Sequence, residues 1–269
     1  MSKVLVERRG RVLWVTLNRP EARNAIDQDV HHLLVEAWRE FGRSADLDVA
    51  VITGNGEAFC AGMDLKTFVP EYVGADQQKV LDLVPVGLGG ITRGMHWLRK
   101  PIIAAVNGWA IAAGFELALA ADIRIASERA VFGSFEARRG FHHGDGGIPR
   151  LVNSCGVGFA MEMVLTAEPV DAERALRAGL VSRVVPHEAL MDQALAVAEH
   201  ILRNDQEAVR SAKATVLEMI GRGLDDQLRI EAINGYSRMA LGNEVRRRLQ
   251  QFYEKSDPGR VGRRAATGA

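Results

Sequence analysis

The stretch "KPIIAAVNGWAIAAGFELALAADIRIAS", residues 100–127, decides the fold class. It opens on a short apolar run closed by Asn-Gly, which reads as a buried strand. It continues into "AAGFELALAAD", which has helical character, and ends on "IRIAS", a second strand. Strand, helix and strand in so few residues are the signature of an α/β unit.

The same alternation recurs on either side of this stretch. "VLVERRGRVLWVTLN" (4–18) reads as two strands around Gly10, "VAVITG" (49–54) as a short buried strand and "AVFGS" (130–134) as a further short strand. Asp27 is placed to cap "QDVHHLLVEAWREFG", and Asp171 to cap "AERALRAG". "LVSRVV" (180–185) reads as the last strand. Residues 67–90 carry scattered Pro and Gly and read as a mobile segment. From about residue 188 every segment is amphipathic at helical spacing. The expected organisation is therefore an α/β core over 1–188 and a helical region over 189–269, with a frayed basic tail, "SDPGRVGRRAATGA".

The 269 residues are 47% hydrophobic, ample for one large core, and 34 basic residues balance 34 acidic ones. That balance argues against nucleic acid or an anionic membrane as the main partner. Cys60 and Cys155 have no partner motif, which points to a reducing compartment. No apolar run reaches the length of a membrane span, and the first ten residues do not resemble a secretion signal. The expectation is a soluble, cytoplasmic protein.

Candidate chemistry gathers at two turns of small residues, "FCAGMD" (59–64) and "GWAIAAGFE" (108–116). Each leads toward a helix start, where backbone N–H groups lack partners and favour negative charge. Two such turns converging would make an oxyanion hole; tight helix–strand packing uses small residues equally well. Glu116 stands at the end of the second turn in apolar surroundings, and Glu136 follows Phe132, Gly133, Ser134 and Phe135. Burying a carboxylate is unfavourable unless it is partnered. Glu116 reads either as an acid–base group or as a buried structural carboxylate, and Glu136 either as its partner or as an acid near a helix N-terminus.

Over residues 4–255 the chain resembles the crotonase (enoyl-CoA hydratase/isomerase) superfamily. The resemblance rests on "LNRPEARNAID" (17–27), "VITGNGEAFCAGMDLK" (51–66), residues 100–127, "AVFGSFEARRGFHHGDGGIPRLV" (130–152) and "MVLTAEPVDAERALRAGLVSRVV" (163–185). It implies a spiral of β-β-α units with a C-terminal helical region used in trimerisation, as a homotrimer or a dimer of trimers. It implies backbone oxyanion donors at Met63 and Ala113, catalytic carboxylates at Glu116 and Glu136, and Gly144 in the turn that holds the water. Arg23, Ala61, Asp64, Leu65 and Lys66 fall where the family binds the coenzyme A part of an acyl-CoA thioester. Hydration of a 2-enoyl-CoA is the implied reaction, with no metal and no cofactor beyond the coenzyme A of the substrate. Isomerisation, dehalogenase or hydrolase chemistry and a non-catalytic acyl-CoA-binding role are the alternatives.

"GFHHGDGG" (140–147) departs from the family pattern, which has an apolar residue and Pro where His142 and His143 stand, and a small residue in place of Asp145. These three residues are expected to shape the acyl pocket or to hydrogen-bond within the loop. Phe252 and Lys255 resemble residues that close the pocket in relatives.

Overall fold

The structure is a computed structural model describing residues 2–83 and 85–256. The tail from residue 257 lies outside the described residues, as does the side chain of Lys255. The described chain divides into two compact units after Arg203.

In the first unit β1 (Val4–Arg9) and β2 (Val12–Leu17) form an antiparallel hairpin around Gly10. Helix α1 (Gln28–Arg43) follows, its first turn capped by the Asp27 carboxylate accepting from the Val30 N–H at 2.9 Å. Three successive steps then repeat one arrangement. β3 (Val49–Gly54) leads to β4 (Ala58–Cys60) and α2 (Gln77–Leu83); β5 (Ile102–Val106) to β6 (Trp109–Ile111) and α3 (Ala113–Ala120); β7 (Ile123–Ser127) to β8 (Val131–Gly133) and α4 (Gly147–Thr166). The first strand of each step extends a six-stranded sheet, in the order β1-β2-β3-β5-β7-β10, where β10 is Arg183–Val185. The second strand of each joins a four-stranded sheet, β4-β6-β8-β9, where β9 is Val170–Asp171. This is the repeated β-β-α spiral. Asp171 caps α5 (Ala172–Arg177) through the Arg174 N–H at 2.7 Å.

Strand alternation explains why the larger sheet is apolar on both faces. Leu13, Val15, Leu17, Ala50, Ile52, Ile102 and Ala104 face the main core with Trp38, Phe41, Phe115 and Leu117. Their neighbours Val12, Trp14, Val49, Val51, Ile103, Ala105 and Ile125 face the other way, onto Leu190, Ala194, Val197 and Ala198 of α6 (Leu190–Leu202). Helix α6 therefore completes the first unit, and the division falls at Arg203 rather than at residue 188. The physical reason is that the outer face of the sheet needs this helix to exclude water.

Within 67–90 lie a 3-10 turn at Val69–Glu71 and helix α2. Its end supplies Leu88, 5% exposed, to the main core. The second unit contains α7 (Gln206–Met219), α8 (Leu224–Leu241) and α9 (Asn243–Ser256). Asp205 caps α7 through Ala208 N–H at 2.8 Å and pairs with Arg238 at 3.2 Å, and Asn234 donates to Thr215 Oγ1 at 3.0 Å, joining α7 to α8. Among the described residues no helix is long and apolar enough to cross a membrane.

If α6 belongs to the core, Leu190→Ala should lower unfolding free energy by about 2–4 kcal/mol, the usual range for a buried Leu→Ala change. Urea unfolding measures this directly. A loss below roughly 0.5 kcal/mol, the scale of a surface change, would place α6 outside the core.

Candidate active site

Helix α3 is apolar all round and buried, so Glu116, one turn from its start, is only 2% exposed. The preceding residue, Ala112, adopts φ 51° and ψ −131°, a region that disfavours a side chain. It is held there from both sides. Its N–H donates to Gly133 O at 2.9 Å, and its carbonyl accepts from Phe115 and Glu116 N–H at 2.9 and 3.1 Å. The next amide, that of Ala113, opens the helix and has no acceptor among the described residues.

The other turn meets it there. Gly62 has φ 93°, and a Cβ added to it would lie 3.0 Å from Ala113 N and 3.1 Å from Ala112 Cβ. Ile26 bridges to this turn by donating to Gly62 O at 2.8 Å and accepting from Asp64 N–H at 2.9 Å. That pattern turns the intervening Met63 N–H away from Ile26, and it too has no acceptor among the described residues. Two unpartnered amides thus stand on adjoining turns beside Glu116, the arrangement expected of an oxyanion hole.

The second carboxylate comes from the 3-10 turn Phe135–Arg139 after β8, where Glu136 is 4% exposed. The loop 140–146 then passes back over α3. Asp145 and Gly147 donate their N–H groups to Glu116 Oε1 at 2.7 and 2.9 Å. Gly147 has no room for a side chain, since an added Cβ would lie 2.8 Å from His143 Cγ and 2.9 Å from Glu116 Cγ.

His143 enters between the two carboxylates. Its Nδ1 lies 2.7 Å from Glu136 Oε1 and 3.6 Å from Glu116 Oε1, and its Nε2 lies 2.8 Å from Ser134 Oγ. The Glu136 contact is an ion pair off the direction of the ring N–H, so Nδ1 and both Glu136 oxygens lack an aligned hydrogen bond among the described residues. Burial by itself would lower the His143 pKa, but Glu116 and Glu136 outweigh it and push it up to about 9. The ring is therefore an imidazolium at neutral pH. The sequence points to both histidines shaping the acyl pocket or hydrogen-bonding within the loop; an ion pair between His143 and the carboxylates is a further contact. His142 hydrogen-bonds within the loop, with its Nδ1 2.7 Å from the His143 carbonyl.

Asp145 uses its backbone for Glu116 and its side chain elsewhere. The carboxylate accepts from Leu88 N–H at 2.7 Å and Thr92 Oγ1 at 3.2 Å, and Arg93 lies 3.4 Å away. Burial and the charge of Glu116 raise its pKa. A carboxylate so engaged is poorly placed to act as a nucleophile. Gly144 is exposed and its carbonyl accepts from Arg93; the donors to Glu116 are its neighbours at 145 and 147.

The residues matched to coenzyme A binding form one neighbourhood, joined by the Ala61 N–H donating to Arg23 O at 3.0 Å. Arg23, Leu65 and Lys66 are exposed there. Asp64 is buried, and its carboxylate accepts from Lys66 and Thr67 N–H at 2.9 and 3.2 Å and from Arg19 at 3.2 Å, so its side chain serves the turn. Glu116, Glu136 and His143 also place ligand-type atoms within 4.8 Å of one another.

The chain as a whole is similar to known proteins. The family described as Enoyl-CoA hydratase/isomerase matches residues 7–260. The chain is 35% identical to 2,3-dehydroadipyl-CoA hydratase of Escherichia coli, covering 98% of this chain and 100% of that protein. It is 37% identical to a carnitinyl-CoA dehydratase of Citrobacter koseri over 95% and 97% of the two chains. The crystal structure of enoyl-CoA hydratase EchA1 from Mycobacterium marinum superposes with a TM-score of 0.84 at 36% identity, covering 95% of this chain and 97% of that one. The chain belongs to the enoyl-CoA hydratase/isomerase, or crotonase, family.

Two measurements check this geometry. The folded protein holds the His143 proton more tightly than the unfolded chain, whose ordinary histidine value is 6.5. The ion pair's contribution is therefore complete below about pH 6.5 and is lost as pH rises through about 9. The melting temperature of the wild type should fall across that window by more than that of His143→Gln. Separately, Ala112→Gly relieves a backbone conformation of the kind that costs about 1–3 kcal/mol. It should raise the denaturation midpoint despite glycine's greater freedom in the unfolded chain; a lowered midpoint would show that Ala112 is unstrained.

Proposed function

We propose that this protein hydrates 2-enoyl-CoA thioesters, adding water across the bond between Cα and Cβ. The observation that carries the reading is the pair of buried carboxylates beside two unpartnered amides. Such amides favour the oxygen of a thioester as it becomes enolate-like, and losing one oxyanion donor typically raises a barrier by about 3–4 kcal/mol. Glu116, oriented by two backbone donors, removes a proton from the water that attacks Cβ. Glu136, whose oxygens have no aligned partner, delivers the proton to Cα.

Relatives named hydratases and dehydratases support this reading, because addition and elimination of water are one reaction run in two directions. Two retained carboxylates favour hydration over isomerisation, which needs a single group to move a proton between carbons. Coenzyme A enters as part of the substrate, near Arg23, Ala61, Leu65 and Lys66. Exposed apolar residues on α8, among them Leu224, Leu228, Ile233 and Tyr236, suit association with further copies of the chain.

Loss of enoyl-thioester absorbance provides the assay. Glu116→Gln and Glu136→Gln should each lower kcat by roughly 10²–10⁴-fold with KM little changed. The double variant should lose far less than the product of the two, because the groups act as a unit. Near-normal turnover in either single variant would overturn the assignment.

A further inference from the structure

Hydration by two carboxylates leaves a proton in the wrong place. Each turnover needs Glu116 unprotonated and Glu136 protonated, and each leaves the reverse. Both groups are buried, at 2% and 4% exposure, so exchange with bulk water is restricted. One side chain lies within reach of both. His143 Nδ1 is 2.7 Å from Glu136 Oε1 and 3.6 Å from Glu116 Oε1.

We propose that His143 is a proton relay that recharges Glu136 and discharges Glu116 between turnovers, acting through the two glutamates and not on the substrate. The proposal rests on the hydratase reading above. The cycle balances. His143 passes its Nδ1 proton to Glu136, leaving a neutral ring whose Nε2–H remains on Ser134 Oγ. Water forms its bond to Cβ while its proton goes to Glu116, and the electron pair of the double bond moves toward the thioester oxygen. As that pair returns, Cα takes the proton of Glu136. Glu116 then hands its proton to Nδ1, a shift of about an ångström of the ring closing the longer distance, and the starting state is restored with one water added.

Three features favour this role over a bland packing one. Nδ1 lacks an aligned hydrogen bond although it is buried, so it is free to exchange partners. Nε2 is tethered to Ser134, which holds the ring at a pivot. The groups facing the ring carry the charge it needs: Glu116 from α3 and Glu136 from the 3-10 turn, with Asp145 and Arg150 coupled to Glu116 behind them. Both carboxylates favour the protonated ring, so it is charged and ready at neutral pH.

The test is the pH dependence of steady-state turnover in the wild type, His143→Gln and His143→Ala. In the wild type kcat should hold up to about pH 9, where the ring loses its proton. Without the ring Glu136 must take its proton from solvent, so the alkaline limb should move to lower pH. His143→Gln should then be within about 10-fold of wild type near pH 5 and at least 100-fold slower at pH 8, with KM unchanged. Added imidazole should restore His143→Ala at neutral pH in a saturable way. A uniform loss at every pH, with no imidazole rescue, would show a structural role and overturn the relay, as would an unmoved alkaline limb. A wild type inactive toward every enoyl-CoA tried would instead overturn the hydratase reading, and the relay with it.

Discussion

The structure depends on how charge is held where water is scarce. A carboxylate taken from water into an apolar interior is penalised by several kcal/mol unless its charge is met. Here two are buried close together, and each is met differently. Glu116 takes one backbone N–H from the loop before α4 and one from that helix's first residue, and Glu136 takes the charge of His143. The first of these needs two successive steps of the spiral, β5-β6-α3 and β7-β8-α4, to bring their turns to one place. The second-sheet strands β4, β6 and β8 are only three residues each, enough to deliver a turn and little more.

That delivery is exact enough to hold an alanine in a glycine-like conformation. Ala112 keeps its φ of 51° because bonds to Gly133, Phe115 and Glu116 fix it before and after. The two-sided packing of the larger sheet supplies the rigidity on which such strain rests. Val12, Trp14, Val49 and Val51 lock against α6, while the alternate residues of the same strands lock against the main core.

Much of this could be read from the chain. Alternation in "VLWVTL" and the capping positions of Asp27 and Asp171 indicated strands and helices that the structure contains. Glu116 and Glu136 stood out because isolated carboxylates in apolar runs demand partners. Other features left no such mark. Helical spacing in Leu190, Ala194, Val197 and Ala198 reveals a buried face but not that the outer face of the larger sheet covers it. β9 is two residues long and has no period to detect. His142 and His143 sit in a loop, where nothing in sequence distinguishes the ring that turns inward from the one that stays out. The donors to Glu116 are backbone amides, which every residue but proline carries, so their positions are invisible until the loop is folded.

Asp145 joins two jobs in one residue. Its amide orients Glu116 while its carboxylate fastens Leu88 and Thr92. A change that lets the 88–92 segment drift also tilts the base, and a change at 145 loosens both at once. Descendants of this chain can therefore vary that segment freely only after finding another anchor for it.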